Sequence, residues 1–247
     1  RITHWMHIVR ANQVALLAWG GRLFNVHPHR LVWAILRAMS FHPAKVMHKL
    51  VTKGRGCQIH PSAVVEASTL GDNVKIGANA VVRYSHLGDG VQISDQANVQ
   101  YSVLGDRAMV ARMGMLQGCV LLEGSNSGHY GLQLCVVGRN TFVGGECILG
   151  DFKPGSTIKV MHEEELVDTG THTLGCAVGH DCAIMMRATF YAGREIPNGL
   201  TIIGPPHDIV TKIPEDLPTG HPLIPVRGVL TPYRNQLTPS SDEEEQS

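Results

Sequence analysis

An aliphatic residue recurs along the middle of the chain at successive steps of six, six and five residues. Three steps make a unit of 17 residues, as in the spacing of Ile59, Ile76 and Ile93. So short a period fits neither a helix pair nor a propeller blade. It is typical of hexapeptide-repeat parallel β-helices, in which each step forms one flat side of a triangular coil and the aliphatic side chains stack inward, about 4.8 Å apart. The register comprises Ile59, Val65, Leu70, Ile76, Val82, Leu87, Ile93, Val99, Leu104, Val110, Leu116 and Leu121.

The repeat predicts the fold class and the domain boundaries. Gly, Asp and Asn follow many of the aliphatic positions, where the chain must turn a corner and a positive φ is tolerated. We therefore expect an all-β solenoid, a left-handed parallel β-helix, over residues 57–204. The register is lost at 123–136 and at 150–174, which we expect to be loop insertions. Residues 205–247 are expected to form a Pro-rich extension with a disordered acidic tail.

Residues 1–56 differ in composition from the repeats. Apolar residues recur there at steps of three and four, which predicts helices over 3–24 and 29–52. Residues 1–58 hold nine Lys or Arg and no Asp or Glu, and all three tryptophans lie among them. The helices could cap the open end of the β-helix, whose strand edges would otherwise be unpaired. The same basic, Trp-containing segment also suits an anionic membrane surface or an acidic protein partner.

Charge and cysteine content limit the remaining possibilities. The net charge is zero, and no nucleic-acid partner is expected. The six cysteines show no CxxC pair and no metal-ligand spacing, which favours a reducing compartment without disulfides and without a bound metal. No run of 18 apolar residues is present, so we expect a cytoplasmic protein, free or peripheral to the membrane. The chain begins with Arg, and nothing upstream of it can be read.

The later phrases of the chain resemble a known family. They are GSNSGHY, VGRNTFVGGECILGDFK and VDTGTHTLGCAVGHDCAIMMRATFYAGREIPNG. They are similar to the left-handed β-helix region of bacterial sugar-1-phosphate nucleotidyltransferases, in particular to the acetyltransferase half of the bifunctional enzyme that makes UDP-N-acetylglucosamine. The coil phrases are common to a whole superfamily, whereas the GSxxGH loop is more specific. The family's uridyltransferase domain has no counterpart in this sequence.

The resemblance implies an active site and its substrates. His129 falls where the family has its catalytic base, and a neutral imidazole can take a proton from an acceptor at pH 7. Gly145 falls where a main-chain amide could polarise a thioester carbonyl. The substrate- and CoA-binding positions are Gly128, Tyr130, Gly145, Asp151 and Lys153. The acyl donor would be acetyl-CoA or another acyl-CoA.

Two departures and two other interpretations accompany the resemblance. Asp151-Phe152 stands where the family has Asn-Tyr, and Leu132 replaces a Tyr that contacts substrate. His180, in VGHDCAI, is an alternative base because the phrase resembles the AHDC of lipid A acyltransferases. A γ-class carbonic anhydrase would need three histidines around zinc, and His129, His172 and His180 are available without that family's spacing.

Two functions of different classes follow. The first is a hexapeptide-repeat acyltransferase that moves an acyl group, in the first instance acetyl, from CoA to a sugar nucleotide or similar acceptor. The resemblance also implies a homotrimer, with active sites in the clefts between subunits. The alternative is a non-catalytic trimeric scaffold or accessory subunit, docked through residues 1–56 to a membrane or a membrane complex. The GSxxGH loop favours the enzyme, whereas Asp151 and Leu132 favour the scaffold.

Overall fold

The structure is a computed structural model that describes residues 2–25, 28–39, 42, 46–47, 50–128, 131–185, 187–203, 223–226 and 229–232. The chain divides into two compact units, Arg1–Gly204 and Pro205–Ser247. The first unit is a parallel β-solenoid, because each short strand pairs in parallel with its counterpart on the next coil. The predicted solenoid is therefore confirmed, and the left-handed sense of its coil stays a prediction.

The strands form three faces, which we call A, B and C. Face A has eight strands: β1 (Thr52–Lys53), β4 (Thr69–Leu70), β7 (His86–Leu87), β10 (Val103–Leu104), β13 (Val120–Leu121), β16 (Val136–Val137), β21 (Ala177–Val178) and β24 (Glu195–Ile196). Face B also has eight: β2 (Gln58–Ile59), β5 (Lys75–Ile76), β8 (Gln92–Ile93), β11 (Met109–Val110), β14 (Asn126–Ser127), β17 (Phe142–Val143), β22 (Ala183–Ile184) and β25 (Thr201–Ile202). Face C has five paired strands: β3 (Val64–Glu66), β6 (Val81–Arg83), β9 (Asn98–Gln100), β12 (Met115–Gln117) and β15 (Gly131–Gln133). Beside β15, the face continues as a separate pair: β18 (Ile148–Leu149) and β23 (Thr189–Phe190).

The predicted aliphatic register forms the core. Ile76 pairs with Ile59 on one side and with Ile93 on the other, at the expected step of 17 residues. The members of the register are buried, and Leu87, Val99 and Leu116 have no exposed surface, whereas Ile59 in the first coil is half-buried. Each coil therefore removes three aliphatic side chains from water, which is the main source of stability in such a solenoid.

The three corners, which we call AB, BC and CA after the faces they join, are held by ladders of polar groups. At corner AB the amide of Asp72 donates to Asp89 Oδ1 at 2.7 Å, and the amide of Asp89 donates to Asp106 Oδ1 at 2.9 Å. The backbone turns through positive φ at this corner, for example at Asn73 and Gly90. Side-chain acceptors thus satisfy corner amides that pair with no strand.

Residues 123–136 are not a loop insertion, which corrects the sequence-based expectation. They contain β14 and β15, which pair with β11 and β12 in the ordinary parallel register. The stretch looks like a loop because its outward positions are polar and its inward position on face B is Ser127. The stretch does contain one irregularity, in the number of residues at the corner between faces B and C. Three residues separate Ser127 from Gly131, whereas four separate Val110 from Met115 on the preceding coil.

The segment 150–174 leaves the solenoid as an antiparallel hairpin at corner CA. Its strands are β19 (Lys159–His162) and β20 (Glu165–Asp168), and a bridge between Phe152 and Thr173 closes its base. The coil then resumes, because Val136 of β16 pairs directly with Ala177 of β21. A long insertion is tolerated at a corner because it leaves both neighbouring strands in register.

The first helix of the chain does not cap the open end of the coils. Helix α1 (Trp5–Asn25) packs Trp5 and Val9 against the outward-facing Val120 and Val136 of face A. Asn12 on the same helix donates to the Tyr101 carbonyl at 3.0 Å. The expectation that α1 caps the open end of the solenoid is therefore wrong. The helix covers a flank of the solenoid instead, because the outward positions of face A are apolar there.

Helix α2 (Pro28–Ala38) packs Ala34 against Val46 and Leu50. Within the rest of the expected helical region 29–52, residues 46–47 are also helical, and residues 40–41, 43–45 and 48–49 lie outside the described residues. In the second unit, the described residues form an antiparallel hairpin of β26 (Leu223–Val226) and β27 (Val229–Pro232).

Candidate functional site

Corner BC beside Gly128 is the corner at which the coil loses one residue. The Gly128 amide donates to the Val143 carbonyl at 2.7 Å, so the strand end before it is fixed. His129 and Tyr130 follow, and both lie outside the described residues. The coil is one residue shorter here than on the preceding turn, as the register of β12 and β15 shows.

Glycines on adjacent coils meet at this corner. A Cβ on Gly128 would lie 2.6 Å from the carbonyl carbon and oxygen of Gly144 and 2.9 Å from the amide nitrogen of Gly145. No side chain fits between them, so the two main chains approach each other directly. The structure therefore brings Gly128 and Gly145 together, as a site for close main-chain contact with a substrate would require.

Ser127 is a polar residue that the sequence-based interpretation missed. It occupies the inward position of β14, between Val110 and Val143, and is 1 % exposed. Its Oγ is buried and has no hydrogen-bond partner in the described part of the chain. The sequence did contain a signal, because a step of six from Leu121 reaches Ser127 instead of an aliphatic residue.

Exposed apolar side chains surround the same corner. Met113 at the preceding turn is 60 % exposed, and Ile148 on face C is 54 % exposed. Met115 on face C and Phe142 on face B are also exposed. Such a cluster next to a polar corner suits either contact with an apolar group or an interface with another chain.

Asp151 and Lys153 lie elsewhere, at the base of the hairpin on corner CA. The Asp151 carbonyl accepts from the Leu174 amide, and the Lys153 amide donates to the His172 carbonyl, both at 2.9 Å. The Thr157 hydroxyl beside Asp168 holds the pKa of that carboxyl below its usual range. The Gly170 amide and the charges of Lys159 and Lys153 act in the same direction. Within one chain, Asp151 and Lys153 are therefore not brought to the corner that holds Gly128 and Gly145.

His180 lies at the third corner, AB, where it is part of the polar ladder. The Arg139 amide donates to His180 Nδ1 at 2.9 Å, and the His180 amide donates to Asn198 Oδ1 at 2.7 Å. A neutral ring that accepts at Nδ1 carries its proton on Nε2. His180 could act as a base through Nε2 only by giving up the hydrogen bond from Arg139, so its geometry favours a structural role.

A groove of about 400 Å³ runs beside His180, between α1 and the last coils. Trp5 and Ile8 of the helix line one side, and Glu195 and Asn198 line the other. This groove could not be predicted from the sequence, because it forms where α1 packs on face A.

Metal and thiol chemistry receive no support from the described residues. Among them, no group of three or more His, Cys, Asp or Glu side chains is arranged to hold a metal ion. The ring of His172 lies against the hairpin, with Nδ1 2.9 Å from the Ser156 carbonyl oxygen. All six cysteines are free. Burial raises the pKa of the Cys176 thiol to about 11, which leaves it protonated and unreactive at neutral pH.

No family model and no curated protein matches the chain. Among solved structures, a mutant GDP-perosamine N-acetyltransferase from Caulobacter crescentus, in complex with CoA and GDP-perosamine, is 11 % identical with a TM-score of 0.29. That match covers 61 % of this chain and 52 % of the other, so this chain spans about half of that protein's length.

Two further solved structures are similar at the same low level. The first is a hexapeptide transferase family protein from Anaplasma phagocytophilum, 16 % identical with a TM-score of 0.24, covering 62 % of this chain and 78 % of the other. The second is the acetyltransferase domain of PglB from Neisseria gonorrhoeae in complex with acetyl coenzyme A, which is 18 % identical with a TM-score of 0.18. That match covers 72 % of this chain and 62 % of the other. The parallel β-solenoid of this chain rests on its own strand pairing.

Proposed function

We propose that this chain is an acyltransferase that moves an acyl group, in the first instance acetyl, from CoA to a sugar nucleotide or a similar acceptor. The observation that carries the proposal is the irregular corner BC. There a regular solenoid replaces a core aliphatic residue by Ser127 and shortens the coil by one residue, next to Gly128, Gly144 and Gly145. Departures from local regularity that lower stability are expected at functional sites.

His129, next to this corner in the sequence, is the proposed general base. An amine or hydroxyl of the acceptor attacks the thioester carbonyl carbon, and its proton passes to the imidazole of His129. The new C–N or C–O bond forms as the C–S bond breaks, and the proton then passes to the departing CoA sulfur. An amide at Gly145 would stabilise the negative charge that develops on the carbonyl oxygen. Tyr130 would contact the acceptor.

A homotrimer belongs to the same proposal. Gly128 and Gly145 lie at corner BC, whereas Asp151 and Lys153 lie at corner CA of the same chain. These residues could contact one substrate if corner BC of one copy faced corner CA of the next, as in a three-fold assembly. The exposed Met113, Met115, Phe142 and Ile148 around corner BC support such an interface.

The alternative is a non-catalytic trimeric scaffold, and one observation favours it. His180, the alternative base, is held by hydrogen bonds of the corner ladder. Asp151 would also bring a carboxylate close to the phosphates of CoA. A scaffold would not consume acyl-CoA with any acceptor.

Acyl transfer by the purified full chain tests the proposal. CoA release from acetyl-CoA is measured with nucleotide-linked amino sugars and nucleotide sugars as acceptors. We expect His129→Ala to lower the rate on the order of 100-fold or more without changing the melting temperature. The matched control is His86→Ala, an exposed histidine on face A, which should keep the rate. Equal rates in both variants would contradict the catalytic role of His129, and no turnover with any acceptor would favour the scaffold.

A further inference from the structure

Helix α2 turns an apolar face away from the rest of the protein. Val32, Trp33 and Leu36 are 54 %, 62 % and 61 % exposed, and Met39, just beyond the helix, is 93 % exposed. On the other side of the helix, Ala34 is 1 % exposed and packs against Val46 and Leu50. We call Val32, Trp33, Leu36 and Met39 the α2 stripe.

Helical geometry makes the α2 stripe continuous. Val32 and Leu36 are four residues apart and lie one above the other, and Trp33 lies beside them. Met39 follows directly after the last turn of the helix, at a positive φ. An amphipathic helix in a folded domain normally turns such residues toward the core. Here α2 contacts the rest of the domain through the small side chain of Ala34, whereas the larger apolar side chains of the α2 stripe are exposed.

The segment of the sequence that contains the α2 stripe carries charge of one sign. Residues 1–58 contain nine Lys or Arg and no Asp or Glu. Among the described side chains, Arg37 is exposed in the last turn of α2 and Arg10 is exposed on α1. Exposed apolar residues including a tryptophan, within a segment that carries only positive charge, match the two attractions that hold a helix at an anionic bilayer surface.

We propose that α2 lies in the interface of an anionic lipid bilayer, with the α2 stripe inserted among the acyl chains and the basic residues on the headgroups. Its 11 residues are too few to span the hydrocarbon core. None of the described helices is long and apolar enough to cross a membrane. A second copy of the chain is a poorer occupant, because two copies meeting at this surface would bring two wholly basic segments together. The inference does not depend on the acyltransferase proposal.

Vesicle co-sedimentation of the full chain tests the membrane contact. We expect the protein to sediment with vesicles of phosphatidylcholine and phosphatidylglycerol in equal parts, to bind pure phosphatidylcholine at least tenfold more weakly, and to be partly released by high salt. Leu36→Asp should lower the partition coefficient at least tenfold. The matched control is Val14→Asp on α1, where Val14 is 63 % exposed and the change in charge is the same; it should lower the coefficient less than twofold.

Fluorescence gives a second, independent readout. Trp33 is exposed whereas Trp5 is buried, so in a Trp19→Phe background, which removes the third tryptophan, vesicles should shift the tryptophan emission to shorter wavelength through Trp33. Trp33→Phe should remove most of that shift and keep binding within a few-fold. Equal loss of binding in Leu36→Asp and Val14→Asp would overturn the proposal. Unchanged vesicle binding by Leu36→Asp would also overturn it. The proposal would fail as well if the protein did not bind anionic vesicles but either self-associated in a way that Leu36→Asp abolishes or bound only to an acidic protein.

Discussion

At the scale of single residues, Ser127 occupies a position that is aliphatic on the other coils of face B. Its counterparts are Ile59, Ile76, Ile93, Val110, Val143, Ile184 and Ile202. A buried hydroxyl that lacks a hydrogen bond costs about 1–3 kcal/mol. The unpaired hydroxyl of Ser127 lies directly beside Gly128, where the coil is also shortened by one residue. The coincidence of these features at one corner is why we place the chemistry there.

The other members of this column have a purely structural role, and Ile93 shows it best because it is 2 % exposed in the middle of the solenoid. Ile93→Asp would bury an unpaired carboxylate, and we expect it to lower the free energy of unfolding by about 3–5 kcal/mol. Gln92→Asp on the same strand is the control, because Gln92 points outward and is exposed; it should change stability by less than about 0.5 kcal/mol. Equal urea midpoints for the two variants would refute the coil register.

At the scale of elements, α1 and the hairpin of β19 and β20 together cover the apolar part of face A. Ile158 and Val160 from the hairpin segment and Trp5 and Val9 from α1 form one buried cluster with Val120. Near the same junction, His4 Nε2 lies 2.9 Å from the Met161 carbonyl oxygen. The helix and the insertion are therefore structural partners on face A.

This packing predicts a difference between adjacent residues of α1. Val9→Asp would place a carboxylate in the cluster, since Val9 is 2 % exposed. We expect it to lower the free energy of unfolding by about 3 kcal/mol and to raise the fluorescence of a bound hydrophobic dye, because face A becomes exposed. Arg10→Asp introduces the same group at an exposed position and should have a small effect in urea unfolding. If the two variants unfold alike, α1 does not pack on face A as described.

At the scale of the whole molecule, the sequence predicted the parts that depend on the repeat. The aliphatic register identifies the inward positions because every third step must stack on the coil below. The segment 150–174 is visible in the sequence because it interrupts that period. Residues 123–136 looked like a second interruption because Ser127 is polar and one residue is missing, although the backbone continues in register.

The position of α1 was not predicted, because it depends on which outward residues of face A are apolar once the coils are formed. The candidate site was predicted only in part. Gly128 and Gly145 approach each other because they lie at the same corner on two successive coils. Asp151, Lys153 and His180 lie on the other two corners, and sequence spacing alone does not show which corner a residue occupies. Whether these corners meet depends on contacts between copies of the chain.

The central claim is that acyl transfer takes place at corner BC, and the position of bound CoA tests it most directly. The measurement is an experimental structure of the full chain with CoA at saturating concentration. We expect the CoA sulfur to lie beside Gly128 and Gly145 of one copy, with the CoA phosphates toward Asp151 and Lys153 of a neighbouring copy in a three-fold assembly. CoA bound at another corner would contradict this claim, and so would a structure in which no CoA is bound at that concentration.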